Sequence, residues 1–103
     1  MPNLQDNPLA HQYAAEHRRY LKENRPDLLA RYERSDRTRS YLSSVGEEAA
    51  NMESHFMAEY QARPEVKALP YQARVRALQN RQAEVQELVR HYLILQPVPE
   101  REE

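Results

Sequence analysis

The sequence predicts an all-α protein, and three observations lead to this fold class. In the last third of the chain, residues recur every seven positions in two interleaved rows: Tyr71, Leu78, Val85, Tyr92 and Val75, Gln82, Val89. This is the heptad pattern of a helix that packs along its whole length against another helix. A second apolar stripe, spaced three and four residues apart, covers residues 42–60. The chain of 103 residues contains one glycine and no cysteine, which disfavours turn-rich β folds and disulfide scaffolds.

Prolines divide the chain into the expected helices. A proline is compatible with the first turn of a helix but disfavours helical geometry in the residue before it. Pro8, Pro26, Pro64 and Pro70 therefore mark boundaries. We expect helices over residues 8–24, 26–34, 38–63 and 71–95, with one further helical turn in the link at residues 64–70.

The third and fourth helices are of similar length and carry matching stripes, which predicts a long antiparallel hairpin. Folding the chain about Lys67 places Met52 opposite Gln82, and we interpret this lone polar seam residue as a device that fixes the register. Val66 and Leu69 are expected to close the link end. The apolar stripe widens towards the other end, so the two shorter N-terminal helices are expected to pack on the open end of the hairpin.

The remaining segments complete the predicted organisation. Residues 1–8 are expected to form a flexible arm, residues 9–95 a single helical domain, and residues 96–103 a disordered tail. The short N-terminal helices would leave part of the hairpin uncovered, which predicts self-association as a dimer. The apolar patch expected at the link end consists of Met57, Tyr60, Val66, Leu69 and Tyr71.

Charge is unevenly distributed, although the whole chain has a formal charge of −1. Residues 18–39 contain eight basic and four acidic side chains, a net charge of +4. On the first helix, the basic side chains project opposite an arc that contains Leu9, Tyr13, His17 and Leu21. Our candidate partner-binding residues lie on this basic side, at the turn after it and within the second helix: Arg18, Arg19, Lys22, Arg25 and Arg31. Solvated charge is the commoner role of such a face, and docking of phosphates or an acidic protein is the functional alternative.

No motif indicates catalysis. The four histidines lack the spacing of a helical zinc pair, and no serine has a nucleophile-elbow context. His17 is interpreted as a hydrogen-bonded residue at the edge of the core. Gly46 lies inside the third helix and is interpreted as a point of close approach of another helix, either the first helix or one from a second subunit. We therefore predict neither enzymatic activity nor a metal or other cofactor.

Three segments of the sequence are similar to the TnpV-like family of transposon-encoded proteins. RYLKENRPDLL, residues 19–29, resembles a family pattern close to YLKEHRP, with Asn24 in the histidine position. YLSSVGEEAANMESHFM, residues 41–57, follows the family's leucine, isoleucine and alanine-methionine spacing. ALQNRQAEVQELV, residues 77–89, resembles an asparagine-arginine-alanine-glutamate helix. The link PEVKALP departs from the family's glycine-valine-threonine loop. The resemblance implies a mobile-element setting, where small proteins commonly regulate DNA transactions or block host defence nucleases.

Two functions follow as expectations. The first is a non-catalytic binding protein that occludes or tethers a protein partner, for example an anti-CRISPR-like inhibitor of a host defence nuclease. The second is a DNA-binding accessory or regulator of a transposon that uses the basic residues of the first two helices on phosphates. With no cysteine, no signal-peptide pattern and no run of about 20 apolar residues, the chain is predicted to be cytoplasmic and not to contact a membrane.

Overall fold

A computed structural model describes residues 7–97 and shows an all-α fold with no strand in that range. Its elements are α1 (Pro8–Asn24), α2 (Pro26–Arg34), α3 (Thr38–Gln61), α4 (Pro64–Lys67), α5 (Tyr71–Val89) and a π-helical turn (Arg90–Ile94). The all-α prediction is confirmed, and the helices begin at or beside the predicted positions. The predicted arm and tail lie largely outside the described residues.

Local sequence explains where the N-terminal helices begin and end. The side chain of Asn7 caps α1 by accepting hydrogen bonds from the backbone N–H groups of Leu9 and Ala10, at 3.1 and 3.3 Å. Asp36 follows α2 with a φ of 58°, and the N–H of Arg37 donates to the carbonyl of Tyr32 at 2.9 Å. This left-handed cap ends α2 and turns the chain into α3.

The hairpin of α3 and α5 forms close to the predicted register. Gln82 was expected opposite Met52, and its side-chain amide donates to the adjacent residue Glu53 at 3.1 Å. The Gln82 residue is exposed rather than buried in the seam, but its hydrogen bond crosses the hairpin from α5 to α3. Val85 and Val89 are buried in the hairpin as predicted. At the link, Val66 is 3% exposed and closes the end of the hairpin.

The two ends of the heptad row do not face the core. Tyr71 and Tyr92 are 74% and 54% exposed, whereas Ile94 is fully buried. The cause at the C-terminal end is the π-helical turn, in which the N–H of Leu95 donates to the carbonyl of Arg90 at 2.8 Å. A π turn contains an extra residue compared with an α turn. It therefore directs Ile94, rather than Tyr92, into the core.

Helix α1 packs along α3 over a longer stretch than the predicted open end alone. It contacts α3 from Tyr41, near the open end, to Glu53, where the hydroxyl of Tyr13 reaches the carboxylate. Gly46 is buried at this crossing, where an added Cβ would meet the backbone carbonyl of Ala10 and lie 3.1 Å from the Cβ of Ala14. The predicted close approach at Gly46 is confirmed, and the approaching helix is α1.

Aromatic and aliphatic side chains from all the longer helices form one core. The rings of Tyr32 and Tyr41 stack with centroids 4.2 Å apart and join α2 to α3 at the open end. The buried core consists of Tyr13, Leu21, Leu29, Tyr32, Tyr41, Leu42, Val45, Ala49, Val85, Val89 and Ile94. This core fixes the orientation of α1, so its outer face has a defined position on the molecule.

Candidate functional site

Helix α1 has one buried face and one basic face. Its buried residues are Ala10, Tyr13, His17 and Leu21, which recur three or four positions apart. Arg18, Arg19 and Lys22 lie on the other side of the helix and are exposed. The amphipathic arrangement predicted for this helix is therefore present in the structure, and the basic side chains are not needed for the core.

The five candidate residues differ in their partners. Arg19 pairs with Glu23 one turn along α1, with Nε 3.3 Å from Oε1, and both side chains are largely exposed. Arg25, between α1 and α2, donates two hydrogen bonds to the carboxylate of Asp27 at 3.2 and 3.1 Å. The hydrogen bonds raise the pKa of Arg25 and lower that of Asp27. These two cations are therefore already partly neutralised by acids on the same surface.

The other three candidates are available to a partner. Arg18, Lys22 and Arg31 are exposed and form no ion pair with another residue in the described range 7–97. Arg18 and Lys22 are four residues apart on α1 and so lie on the same side of the helix. Arg31 lies on α2, after the turn at Arg25. We define the α1 basic face as the five candidates Arg18, Arg19, Lys22, Arg25 and Arg31.

A buried polar cluster on the other side of α1 was not predicted. Glu53, 3% exposed, accepts hydrogen bonds from the Tyr13 hydroxyl at 2.5 Å and from the Gln82 and Gln86 amides at 3.1 and 3.4 Å. Burial, followed by the hydrogen bond to the Glu53 carboxylate, raises the pKa of Tyr13. The cluster links α1, α3 and α5, and it explains why a carboxylate is stable inside the fold. Its only signal in the sequence is that Glu53 lies four residues after the buried Ala49.

Two further polar contacts join α1 to the C-terminal turn. Arg90 donates two hydrogen bonds to the Glu16 carboxylate, at 2.8 and 3.3 Å, and its guanidinium lies 5.9 Å from the Tyr13 ring centroid. His17 is fully buried and bonds the carbonyl of Ile94 at 2.8 Å and the hydroxyl of Tyr41 at 2.9 Å. The prediction that His17 is hydrogen-bonded is confirmed, and the residue lies fully inside the core rather than at its edge.

Two open grooves flank these contacts. One, of about 460 Å³, lies between α3 and α5 and is lined by Leu9, Glu53, Met57, Val75, Leu78 and Gln82 among others. The other, of about 490 Å³, lies between α1 and the C-terminal turn, and both Glu16 and Arg90 line it. Within residues 7–97, no group of three or more His, Asp or Glu side chains could hold a metal ion. No helix in that range is both long and apolar enough to cross a membrane.

Comparison with known proteins identifies a family to which the chain is similar. The model of a family described as transposon-encoded protein TnpV matches residues 1–94. This range includes the three segments whose resemblance was noted from the sequence, and it also includes the divergent link. No curated protein and no solved structure matches the chain.

Proposed function

The chain belongs to the TnpV family of transposon-encoded proteins, and from this premise we propose that it is a non-catalytic binding protein that docks a protein partner on the α1 basic face. One concrete form of this function is occlusion of a host defence nuclease, as anti-CRISPR proteins do. The observation that carries the proposal is the exposure of Arg18, Lys22 and Arg31 without an acidic partner in the described range. A second copy of the chain also stays a predicted partner.

The mixed charge of this face favours a protein over duplex DNA. Glu23 and Asp27 lie within the face and pair with Arg19 and Arg25. Carboxylates so close to the contact surface would repel a row of phosphates, whereas a protein surface offers both signs of charge. Arg is also enriched in protein–protein interfaces, where its planar group forms paired hydrogen bonds with carboxylates.

The absence of catalysis is part of the proposal. The groups that most resemble catalytic residues are occupied in packing: His17 by Tyr41 and Ile94, and the Glu53 carboxylate by three donors. Removing a proton from Tyr13 is disfavoured by its raised pKa. These side chains are better suited to hold helices together than to activate a substrate.

Charge reversal on the α1 basic face tests the proposal. We expect Arg18→Glu, Lys22→Glu and Arg31→Glu together to abolish binding to a partner identified by cross-linking in the native host. The expected loss is more than 100-fold, because three attractive contacts become repulsive ones. Isothermal titration calorimetry with the purified partner measures the change. Since the three side chains lie outside the core, circular dichroism should show unchanged helicity and melting.

The matched control reverses two arginines and one lysine at the other end of the molecule: Lys67→Glu, Arg74→Glu and Arg76→Glu. This variant should bind the protein partner like the parent. Equal binding by the parent and the α1 variant would show that the face is only solvated. Binding of duplex DNA that weakens steeply with salt and is lost when the charges of the α1 basic face are reversed would instead favour the DNA-regulator alternative. Each phosphate contact contributes about −0.9 to the slope of log affinity against log salt concentration.

A further inference from the structure

A second basic region lies at the link end of the hairpin, and we define the link-end surface by its residues, 60–83. These residues comprise the end of α3, all of α4 and about the first two thirds of α5. They contain five basic side chains and one acidic side chain, Glu65, so their net charge is +4 in a chain of net charge −1. The basic residues are Arg63, Lys67, Arg74, Arg76 and Arg81. Glu59 and Glu84 border this range, and the basic excess between them marks a surface suited to a polyanion.

These cations are not neutralised within the fold. None of the five forms an ion pair with another residue in the part of the chain that the structure describes. Arg63 and Arg81 instead lie over the ring of Tyr60, with their guanidinium carbons 5.3 and 5.4 Å from its centroid. Stacking on a ring holds a guanidinium in place while its charge remains. The Nε of Arg81 is buried, so only the outer nitrogens of that group face outward. The α1 basic face differs, because two of its five cations pair with acids.

The basic side chains surround the end of the hairpin rather than forming one row. Arg74 and Arg81 are seven residues apart and lie on the same side of α5, whereas Arg76 is rotated about 160° from Arg74 at ~100° per residue. Lys67 is exposed on α4, beyond the start of α5. A straight duplex would meet only one side of this arrangement, because it is stiff over about 150 base pairs. A flexible single strand can follow the cations around the end.

An exposed aromatic ring lies within the same surface. Tyr71, the first residue of α5, is 74% exposed, more than any other large apolar side chain among residues 7–97. Proteins that bind single-stranded nucleic acid without sequence preference combine a basic surface with aromatic rings on which bases stack. The link-end surface brings these two features together, and the core has no need of the Tyr71 ring.

We propose that the link-end surface binds single-stranded nucleic acid, with its five cations contacting phosphates and Tyr71 stacking on a base. This site is separate from the α1 basic face, so the inference does not depend on the protein partner proposed above. Contact through phosphates predicts little preference for sequence and a strong dependence on salt.

Fluorescence anisotropy with a labelled oligothymidylate of about 20 nucleotides tests the proposal directly, beside a duplex of the same length. We expect the parent to bind the single strand at least tenfold more tightly than the duplex. The triple variant Lys67→Gln, Arg74→Gln and Arg76→Gln should bind the single strand about 100-fold more weakly near 0.1 M salt. Its slope of log affinity against log salt concentration should be smaller in magnitude than that of the parent by about 2. Tyr71→Ala should weaken binding about tenfold with an unchanged salt slope.

The matched control is the triple variant Arg18→Gln, Lys22→Gln and Arg31→Gln, which removes the same charge from the α1 basic face. This control should bind the oligonucleotide within about twofold of the parent, after a small correction for net charge. Thermal melting of each variant measures whether the fold is intact. The proposal would be overturned by equal losses of affinity in both triple variants or by equal affinity of the parent for single strand and duplex. Absence of salt-dependent binding by the parent would also overturn it, and would leave an acidic protein as the occupant of the surface.

Discussion

At the scale of single residues, His17 has a defined tautomer. The carbonyl of Ile94 only accepts hydrogen bonds, so the Nδ1 atom of His17 must carry the proton and donate to it. The Nε2 atom then accepts from the hydroxyl of Tyr41. Both ring nitrogens are satisfied in the neutral form. A proton added at Nε2 would require the Tyr41 hydroxyl to turn from donor to acceptor, and it would place a charge in a fully buried ring that joins α1, α3 and the C-terminal turn.

This arrangement predicts a loss of stability in mild acid. Burial lowers the pKa of His17 below its usual value, although the hydrogen bond to Ile94 acts in the opposite direction. The unfolded chain therefore takes up more protons than the folded chain as pH falls. The contribution of neutral His17 to the free energy of unfolding is complete above about pH 6.5, the pKa of histidine in the unfolded chain. It is lost as pH falls from there towards the lower pKa of His17 in the folded chain, by at most ~1.4 kcal/mol per pH unit.

Urea unfolding of the parent between about pH 7.5 and pH 5 measures this dependence. His17→Gln should be less stable than the parent at neutral pH and should lack the His17 contribution to the slope. His55→Gln is the control, because His55 is exposed and pairs with Glu59 at 2.5 Å on the surface of α3. An NMR titration of the parent in which His17 protonates above pH 6.5 would contradict the assignment, even if His17→Gln failed to fold.

The buried carboxylate of Glu53 is held in the core by hydrogen bonds from two other helices. Its carboxylate has donors from Tyr13 on α1 and from Gln82 and Gln86 on α5, so three helices meet at one buried group. Removing one partner of such a group costs more than a typical hydrogen bond is worth, because the remaining partners are left buried. The two glutamines therefore fix the position of α5 against α3, which is the register role that the heptad pattern assigned to Gln82 alone.

At the scale of elements, the crossing of α1 over α3 depends on the absence of a side chain at Gly46. In an exposed helix, Gly→Ala stabilises by about 1 kcal/mol. Here the new Cβ would meet the carbonyl oxygen of Ala10, which is backbone and cannot rotate away, and would lie 3.1 Å from the Cβ of Ala14. We expect Gly46→Ala to destabilise the fold by about 1–3 kcal/mol, because α1 must move away from α3.

Thermal and urea unfolding measure this effect. Ser44→Ala is the matched control, since Ser44 is exposed on the same helix and the change should stay within about 0.5 kcal/mol of the parent. Stabilisation by Gly46→Ala would show that α1 and α3 separate easily. The same result would mean that the position of the α1 basic face on the molecule is not fixed by this crossing.

The helix boundaries were predictable because prolines and caps act locally, whereas the C-terminal register was not. A strict seven-residue repeat places Tyr92 in the core, but the π-helical turn over Arg90–Ile94 buries Ile94 instead. That turn is stabilised by contacts with distant residues: Arg90 with Glu16 and the Ile94 carbonyl with His17. Sequence periodicity contains no information on such contacts, so it could not show where the helix changes its winding.

Of the two candidate binding surfaces, one was partly predictable from the sequence and the other was not. The part of the α1 basic face that lies on α1 itself, Arg18, Arg19 and Lys22, was predictable because one helix places its polar residues opposite its apolar ones by geometry alone. The link-end surface was missed because its cations come from the turn after α3, from α4 and from α5, and because Tyr60 and Tyr71 were assigned to an apolar patch. The structure shows Val66 buried there and Tyr60 between two arginines, so only part of that patch remains exposed.

At the scale of the whole molecule, the two basic surfaces lie towards opposite ends of an elongated fold. The molecule extends 53 × 32 × 21 Å, and the long axis accommodates α3, whose 24 residues span about 36 Å. The basic residues of α1 come directly after His17, which contacts Tyr41 near the open end of the hairpin. The link-end surface lies at the opposite end of α3, where the chain enters α4 and α5. Self-association, predicted from the sequence, stays a prediction that light scattering measures.

This separation predicts that the two proposed binding events are energetically independent. Charges screened over about 8 Å at physiological salt do not influence each other across the length of α3, and neither surface contributes a side chain to the other. With the protein partner bound at saturation, the affinity for an oligothymidylate should change by less than about twofold, because coupling of binding requires a difference in contacts or conformation. A variant with both triple sets of glutamines should lose both activities, each by the same factor as in the corresponding single-surface variant. Anisotropy titrations with and without the partner measure the coupling. A change of tenfold or more in either direction would mean that the partner reaches the link end or that α1 moves on α3 when it binds.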